Sequence, residues 1–337
     1  MKFVKILIIL ALVILLFAFF FKDINVGILL KTIAGINPIY PVLFFFGCLG
    51  QFFVRGYRWG IILKPYKEKI PLTTLYNYTV IGFLLNIFPG GRIGEPARGI
   101  LLARNENFKK SYGLASVVLE RIIDILVMIL ILLASLFFIK DNGTAFLLRL
   151  RRISIFVFII VLLVFSTFYF LNFKKVANAI ERMILFFAKI VPAKFRERTI
   201  HFLTHFIKGL RLNLSLADFL KLFLASLLVW GFIIPFYWVL MKGFNMPISI
   251  FQVVPYFSII IVIASIPMPG MAGTLDAGSK EALTRLYGVA EETASAYTLT
   301  FHFIVLFCTL LAGLIAFKHY GLNFKSIRNI RKKNEVP

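Results

Sequence analysis

Six stretches, at roughly residues 4–21, 38–54, 113–139, 153–172, 218–241 and 294–317, are apolar over about the length that crosses a bilayer. Nothing else constrains this chain as strongly. In hydrocarbon every backbone N–H and C=O must be satisfied inside the protein, so only helices and closed barrels span it. Long apolar runs without alternation predict helices. The expected fold class is an all-α polytopic membrane protein with about six full transmembrane helices. Composition agrees, with 60% of the 337 residues hydrophobic and a mean hydropathy of +0.90. No separate soluble domain fits beside so much apolar sequence.

The net charge of +23 sits mostly in short loops beside the apolar runs. That placement points to orientation by the positive-inside rule and to contact with anionic headgroups, not to nucleic acid. Cys48 and Cys308 lie in apolar runs and imply packing rather than a disulfide framework. Lys2 and Lys5 precede an apolar run that ends at Lys22-Asp23 with no small-residue cleavage site, so an uncleaved first helix is expected.

One segment does not fit a lipid-facing helix. From Asn86 to Asp124 the chain reads NIFPGGRIGEPARGILLARNENFKKSYGLASVVLERIID. It holds two prolines, four arginines, two lysines, three glutamates and an aspartate. Ionisable groups at membrane depth are costly, so they face a cavity or each other and mark function. Proline and glycine there break the helix, which is tolerated only where the freed backbone is buried or lines a wet space.

Loop charge sets the expected topology. The linker 173–217 carries nine Lys or Arg and the tail 318–337 carries six, while 55–71 holds Arg55, Arg58, Lys64, Lys67 and Lys69. All three are expected on the cytoplasmic side, with both termini cytoplasmic and the protein in the plasma (inner) membrane. Residues 72–112 then enter and leave from that side, and 74–104 is expected as a re-entrant hairpin. By the same parity, 250–286 forms a second re-entrant hairpin from the opposite face. Arg149, Arg151 and Arg152 fall in a loop this scheme places outside, against the charge rule. The domains expected are a first membrane half over 1–172, a cytoplasmic amphipathic linker over 173–217, a second half over 218–317, and a basic tail over 318–337.

The two hairpins resemble each other. Pro89-Gly90 matches Pro269-Gly270. At an offset of 181 residues Glu95 falls on Asp276, Arg104 on Arg285, Ala115 on Ala296 and Arg121 on His302. Weak internal similarity with opposite topology marks inverted-repeat transporters, whose sites lie at broken helices between the repeats.

Candidate binding residues follow. Glu120, Arg121 and Asp124 share one stretch of helix surface. They can form a buried ion network with Glu95. Alternatively Arg92, Arg98 and Arg121 offer forked donors to a phosphate, helped by free N–H groups after Gly90-Gly91. Asp276, Lys280, Glu281 and Arg285 form the counterpart, at spacings that also suit plain surface pairs. Arg55, Arg58 and Trp59 read as an interfacial anchor that could also meet a headgroup. His201 and His205 are four apart, but no third ligand accompanies them. No Ser-His-Asp motif, nucleotide loop or metal cluster stands out, so no cofactor is expected. Glu95, Glu120 and Asp124 keep a carboxylate-based intramembrane enzyme open.

The run FPGGRIGEPARGILLAR with ASVVLERIID resembles the first signature of the lysylphosphatidylglycerol synthase transmembrane-region family. IPMPGMAGTLDAGSKEAL resembles its second signature, and Arg55-x-x-Arg58-Trp59 also fits. The resemblance covers nearly the whole chain. It implies a flippase-like membrane domain, which in multidomain relatives moves an aminoacylated phospholipid between leaflets while a soluble domain makes it. This sequence carries no such soluble domain, so lysyl transfer is not expected. The family motif falls on Pro89, Gly94, Glu95, Arg98, Glu120, Arg121 and Asp124, then on Pro269, Gly270, Gly273 and Asp276. Met271 replaces a usual glycine and Asp276 a usual glutamate. The expected function is a lipid flippase or lipid-linked-metabolite transporter. Its expected partner is a membrane phospholipid or polyprenyl-phosphate-linked lipid. The alternatives are a non-transporting partner of a lipid-modifying enzyme and an intramembrane enzyme.

Overall fold

The computed structural model describes residues 25–87, 93–138, 193–210, 214–264 and 274–322, with scattered positions between 152 and 163. The expected first span, most of span 153–172, and the motif positions Pro89, Gly90, Arg92, Pro269, Gly270 and Gly273 lie outside the described residues. The described helices, in chain order, are α1 (Val26–Ala34), α2 (Ile39–Leu63), α3 (Leu72–Ile87), α4 (Gly94–Asn105) and α5 (Lys110–Phe138). They continue as α6 (Ala193–Gly209), α7 (Leu216–Gly243), α8 (Ile250–Ala264), α9 (Thr274–Tyr287) and α10 (Glu291–His319). The chain is a helical membrane protein. Helices α2, α7 and α10 are long and apolar enough to cross a bilayer. Helix α5 is as long as α10, at 29 residues, but carries Glu120, Arg121 and Asp124 within it.

Helix α2 departs from its expected end at residue 54 and continues to Leu63. The charged residues beyond residue 54 do not end it, because Arg55, Arg58, Trp59 and Ile62 fall on one face and all four are buried. The interfacial-anchor reading of Arg55, Arg58 and Trp59 is therefore replaced by an interior one.

Helices α2 and α7 run antiparallel along their lengths. Lys64 after α2 pairs with Asp218 of α7 at 2.7 Å. A Cβ on Gly47 would sit 2.3 Å from the Phe236 ring, and one on Gly243 2.7 Å from the Tyr40 side chain. In lipid, apolar burial alone gives helices no reason to associate. Close packing over small residues supplies the attraction instead. The same device joins α4 to α5, where Gly99 and Gly113 are so close that a Cβ on either would meet the other's carbonyl oxygen within 2.4 Å.

Helices α3 and α4 fold back on each other. Gly94 donates its backbone N–H to Asn86 Oδ1 at 2.9 Å, and a Cβ on Gly94 would lie 2.0 Å from the Gly82 carbonyl oxygen. The outer ends of this pair lie towards the end of α2: Leu75, in the first turn of α3, packs on Gly60, and Tyr112, at the start of α5 just after α4, stacks on Tyr66 at 4.6 Å. Helices α8 and α9 pair likewise, with Tyr287 Oη donating to the Gln252 carbonyl at 2.7 Å. That pair lies at the other end of the molecule, where Phe251 stacks on Phe138 at the C-terminus of α5.

Several helices of the two halves are alike in length. Helices α3 and α8 have 16 and 15 residues, α4 and α9 have 12 and 14, and α5 and α10 have 29 each. Their packing matches too. Where α2 packs on α3 and α5, α7 packs on α8 and α10; where α10 packs on α1 and α3, α5 packs on α6 and α8.

Candidate functional site

The site is built where α2, α4 and α5 meet. On α5, Glu120 and Asp124 are four residues apart, so both face inward with Ile123 and Val127. On α2, Arg58 faces them. Arg58 Nη2 donates to Glu120 Oε1 at 2.9 Å, and its Nη1 donates to Asp124 Oδ1. Both Arg58 and Glu120 have no exposed surface. From α4, Arg98 Nη2 donates to Glu120 Oε2 at 2.6 Å. The Arg98 guanidinium lies 4.5 Å from the Trp59 ring centre, and Trp59 Nε1 donates to Ser116 Oγ at 3.0 Å. A buried charge survives only when paired and hydrogen-bonded. Here each buried carboxylate has two or more guanidinium partners, in the charge-assisted geometry that is strongest.

Arg121 completes the cluster from its edge. Its Nη2 lies 3.1 Å from Glu120 Oε1 and 3.0 Å from Asp124 Oδ2, and its Nε lies 3.5 Å from Glu95 Oε2. Its side chain keeps 32% of its surface, so it is the member of the cluster most open to a ligand. The ion network expected among Glu95, Glu120, Arg121 and Asp124 is present, and Arg98 joins it. Gly94 acts as a close-packing position that lets α4 start against α3.

The second half holds a corresponding arrangement with other chemistry. Asp276 on α9 is fully buried and meets His302 Nδ1 on α10 at 2.7 Å. These two positions are the 181-residue counterparts of Glu95 and Arg121, which also face each other. Beside them Ser279 Oγ lies 2.7 Å from both Tyr256 Oη and Thr298 Oγ1. Lys280 reaches Glu291 at 3.3 Å. Arg285 pairs with Glu281 on its own helix with 79% of its side chain exposed, and so stands apart from the buried groups.

His205 is held locally: its Nδ1 donates to the His201 carbonyl at 2.7 Å, and its Nε2 accepts from Lys109 Nζ at 2.6 Å. Among the described residues no group of three His, Cys, Asp or Glu side chains is placed to hold a metal. Cys48 and Cys308 are both free and buried.

Arg55 and Arg58 were absent from the expected binding set. The signal for them was present in the spacing of Arg55, Arg58, Trp59 and Ile62, which is that of one helix face. What spacing lacks is the partner that face meets.

A family model described as the lysylphosphatidylglycerol synthase TM region matches residues 3–313. No curated protein and no solved structure matches the chain significantly.

Proposed function

The chain belongs to the lysylphosphatidylglycerol synthase transmembrane-region family, and from that premise we propose that it is a lipid flippase or lipid-linked-metabolite transporter. The family ties this membrane protein to lipid metabolism. The finer reading rests on one observation: a buried cluster of arginines and carboxylates where a short helix pair meets the spanning helices, with Arg121 at its open edge. Intramembrane charges of this kind mark substrate pathways.

The inverted repeat is part of the same reading. Antiparallel pairing of the equivalent helices α2 and α7 fits a two-fold axis lying in the membrane plane. The matched packing of the two five-helix sets, and the paired Glu95–Arg121 and Asp276–His302 contacts, support it. We read α3–α4 and α8–α9 as re-entrant hairpins dipping from opposite faces, each shorter than a full span. The basic ends near Lys64, Lys109 and Lys208 would then face the cytoplasm. The headgroup, of a phospholipid or a polyprenyl-phosphate lipid, enters beside Arg121 while the acyl chains stay in the bilayer.

A leaflet-redistribution assay in proteoliposomes tests this. Anionic or aminoacylated lipid should move faster than in empty liposomes. Movement no faster than in empty liposomes, for every such lipid, refutes the reading.

A further inference from the structure

Arg55 is the cation that the ion network holds most loosely, through one long pair to Asp124. It is 6% exposed, on the same face of α2 as Arg58. Its nearest carboxylate oxygen, Asp124 Oδ2, is 3.8 Å away, a long ion pair beyond hydrogen-bond reach; that oxygen also lies 3.0 Å from Arg121 Nη2, yet accepts no hydrogen bond. Arg55 Nε and Nη1 are buried with no hydrogen-bond acceptor. The guanidinium instead lies 5.2 Å from the ring of Trp230 on α7 and 5.7 Å from the ring of Phe83 on α3. Trp230 Nε1 is itself a buried donor with no acceptor. So two neighbouring side chains, one from each half of the molecule, carry buried donors that make no hydrogen bond, with Asp124 Oδ2 the nearest acceptor to Arg55.

The charge count of the cluster points the same way. Arg55, Arg58, Arg98 and Arg121 face Glu95, Glu120 and Asp124, which leaves one positive charge in surplus. Aromatic faces offset a buried cation only in part. An uncompensated buried charge is costly, so the surplus calls for an anion. The fork of a guanidinium suits phosphate oxygens, and an indole N–H adds a further donor.

We propose that Arg55, with Trp230, is the phosphate-holding element of the site, binding a phosphate mono- or diester on the seam between α2 and α7. This rests on the headgroup reading above and gives it a specific residue. Arg58 and Arg98, bound to Glu120 and Asp124, serve to hold the cluster together, and Arg121 guards its open edge.

The test compares the purified full chain with its Arg55→Met and Trp230→Phe variants in neutral detergent, stripped of lipid. Thermal shift and native mass spectrometry then read the binding of phosphatidylglycerol, of diacylglycerol with the same chains, and of inorganic phosphate. The parent protein should prefer phosphatidylglycerol to diacylglycerol. Arg55→Met should bind phosphatidylglycerol roughly tenfold to hundredfold more weakly, the loss of a charge-assisted contact. Without lipid it should melt no lower than the parent, since it removes a surplus charge. Trp230→Phe keeps an aromatic ring, smaller than indole, and loses the N–H, and should weaken binding less, yet measurably. Stabilisation of the parent but not of Arg55→Met by inorganic phosphate alone also supports the assignment, with the phosphate then recognised free of a lipid. Undiminished preference for phosphatidylglycerol in both variants overturns the assignment and leaves the transport reading standing. A parent protein that favours neither phosphate-bearing ligand overturns both.

Discussion

Arg58 and Glu120 stand 62 residues apart in sequence and meet at 2.9 Å with neither side chain exposed. Because Arg58 also donates to Asp124, one guanidinium ties α2 to two positions on α5. Removing it takes a hydrogen-bonded partner from each of the two buried carboxylates. Arg58→Met should destabilise the protein by about 3–5 kcal/mol, the cost of breaking a buried pair from one side. Arg58→Lys should fail nearly as badly, since one ammonium cannot bridge two carboxylates as a planar fork does. Thermal unfolding in detergent measures both, and a melting temperature within a degree of the parent for either variant would contradict the role assigned.

Arg121 is predicted to behave differently. It shares Glu120 with Arg58 and Arg98, and a third of its side chain is exposed. Arg121→Ala should therefore cost no more than about 1 kcal/mol of stability, as partly solvated pairs do. It should still abolish lipid redistribution in proteoliposomes. A stable variant that transports at the parent rate would place Arg121 outside the substrate path.

Gly99 and Gly113 set the distance between α4 and α5 by backbone contact. A methyl group at either has no flexible side chain to displace. Gly99→Ala and Gly113→Ala should each cost about 1–3 kcal/mol, as overpacking does. Gly231, in the middle of α7, has nothing within 4 Å of its missing Cβ. Gly231→Ala should be neutral or stabilising by up to about 1 kcal/mol, the helix-propensity difference. The contrast in melting temperatures checks the packing without any functional assay.

Opposite hairpins make a topological prediction. Single cysteines in place of Lys67 and Asn105 flank α3 and α4, and those in place of Ser249 and Arg285 flank α8 and α9. All four positions are exposed. In right-side-out membranes, with Cys48 and Cys308 buried, a membrane-impermeant thiol reagent should modify the second two and spare the first two. Labelling of all four, or of one member of each pair, would rule out two hairpins entering from opposite faces.

Much of this was readable from residue order. The expected hairpin limits 74–104 enclose most of α3 and nearly all of α4, and 250–286 enclose α8 and nearly all of α9. The offset of 181 residues matched Glu95 to Asp276 and Arg121 to His302; Glu95 meets Arg121 in the first half, and Asp276 meets His302 in the second. Local pattern carries such information because helix length, breaks and like-placed charges are written along the chain. Arg285 shows the limit: its offset to Arg104 was sound as arithmetic, yet its side chain turns outward to Glu281.

The sequence alone determined that this protein is helical and membrane-embedded, where its helices break, and that acids and arginines cluster after the first break. Apolar length and the cost of unpaired backbone in lipid leave little choice there. Only the tertiary structure decided which arginine meets which carboxylate. That choice depends on how α2, α4, α5 and α7 pack, and no spacing within one helix encodes a contact with another. So Arg58, read from sequence as a boundary residue, became the centre of the network, and Arg55 three residues earlier was left with aromatic rings and a long ion pair to Asp124 but no hydrogen bond.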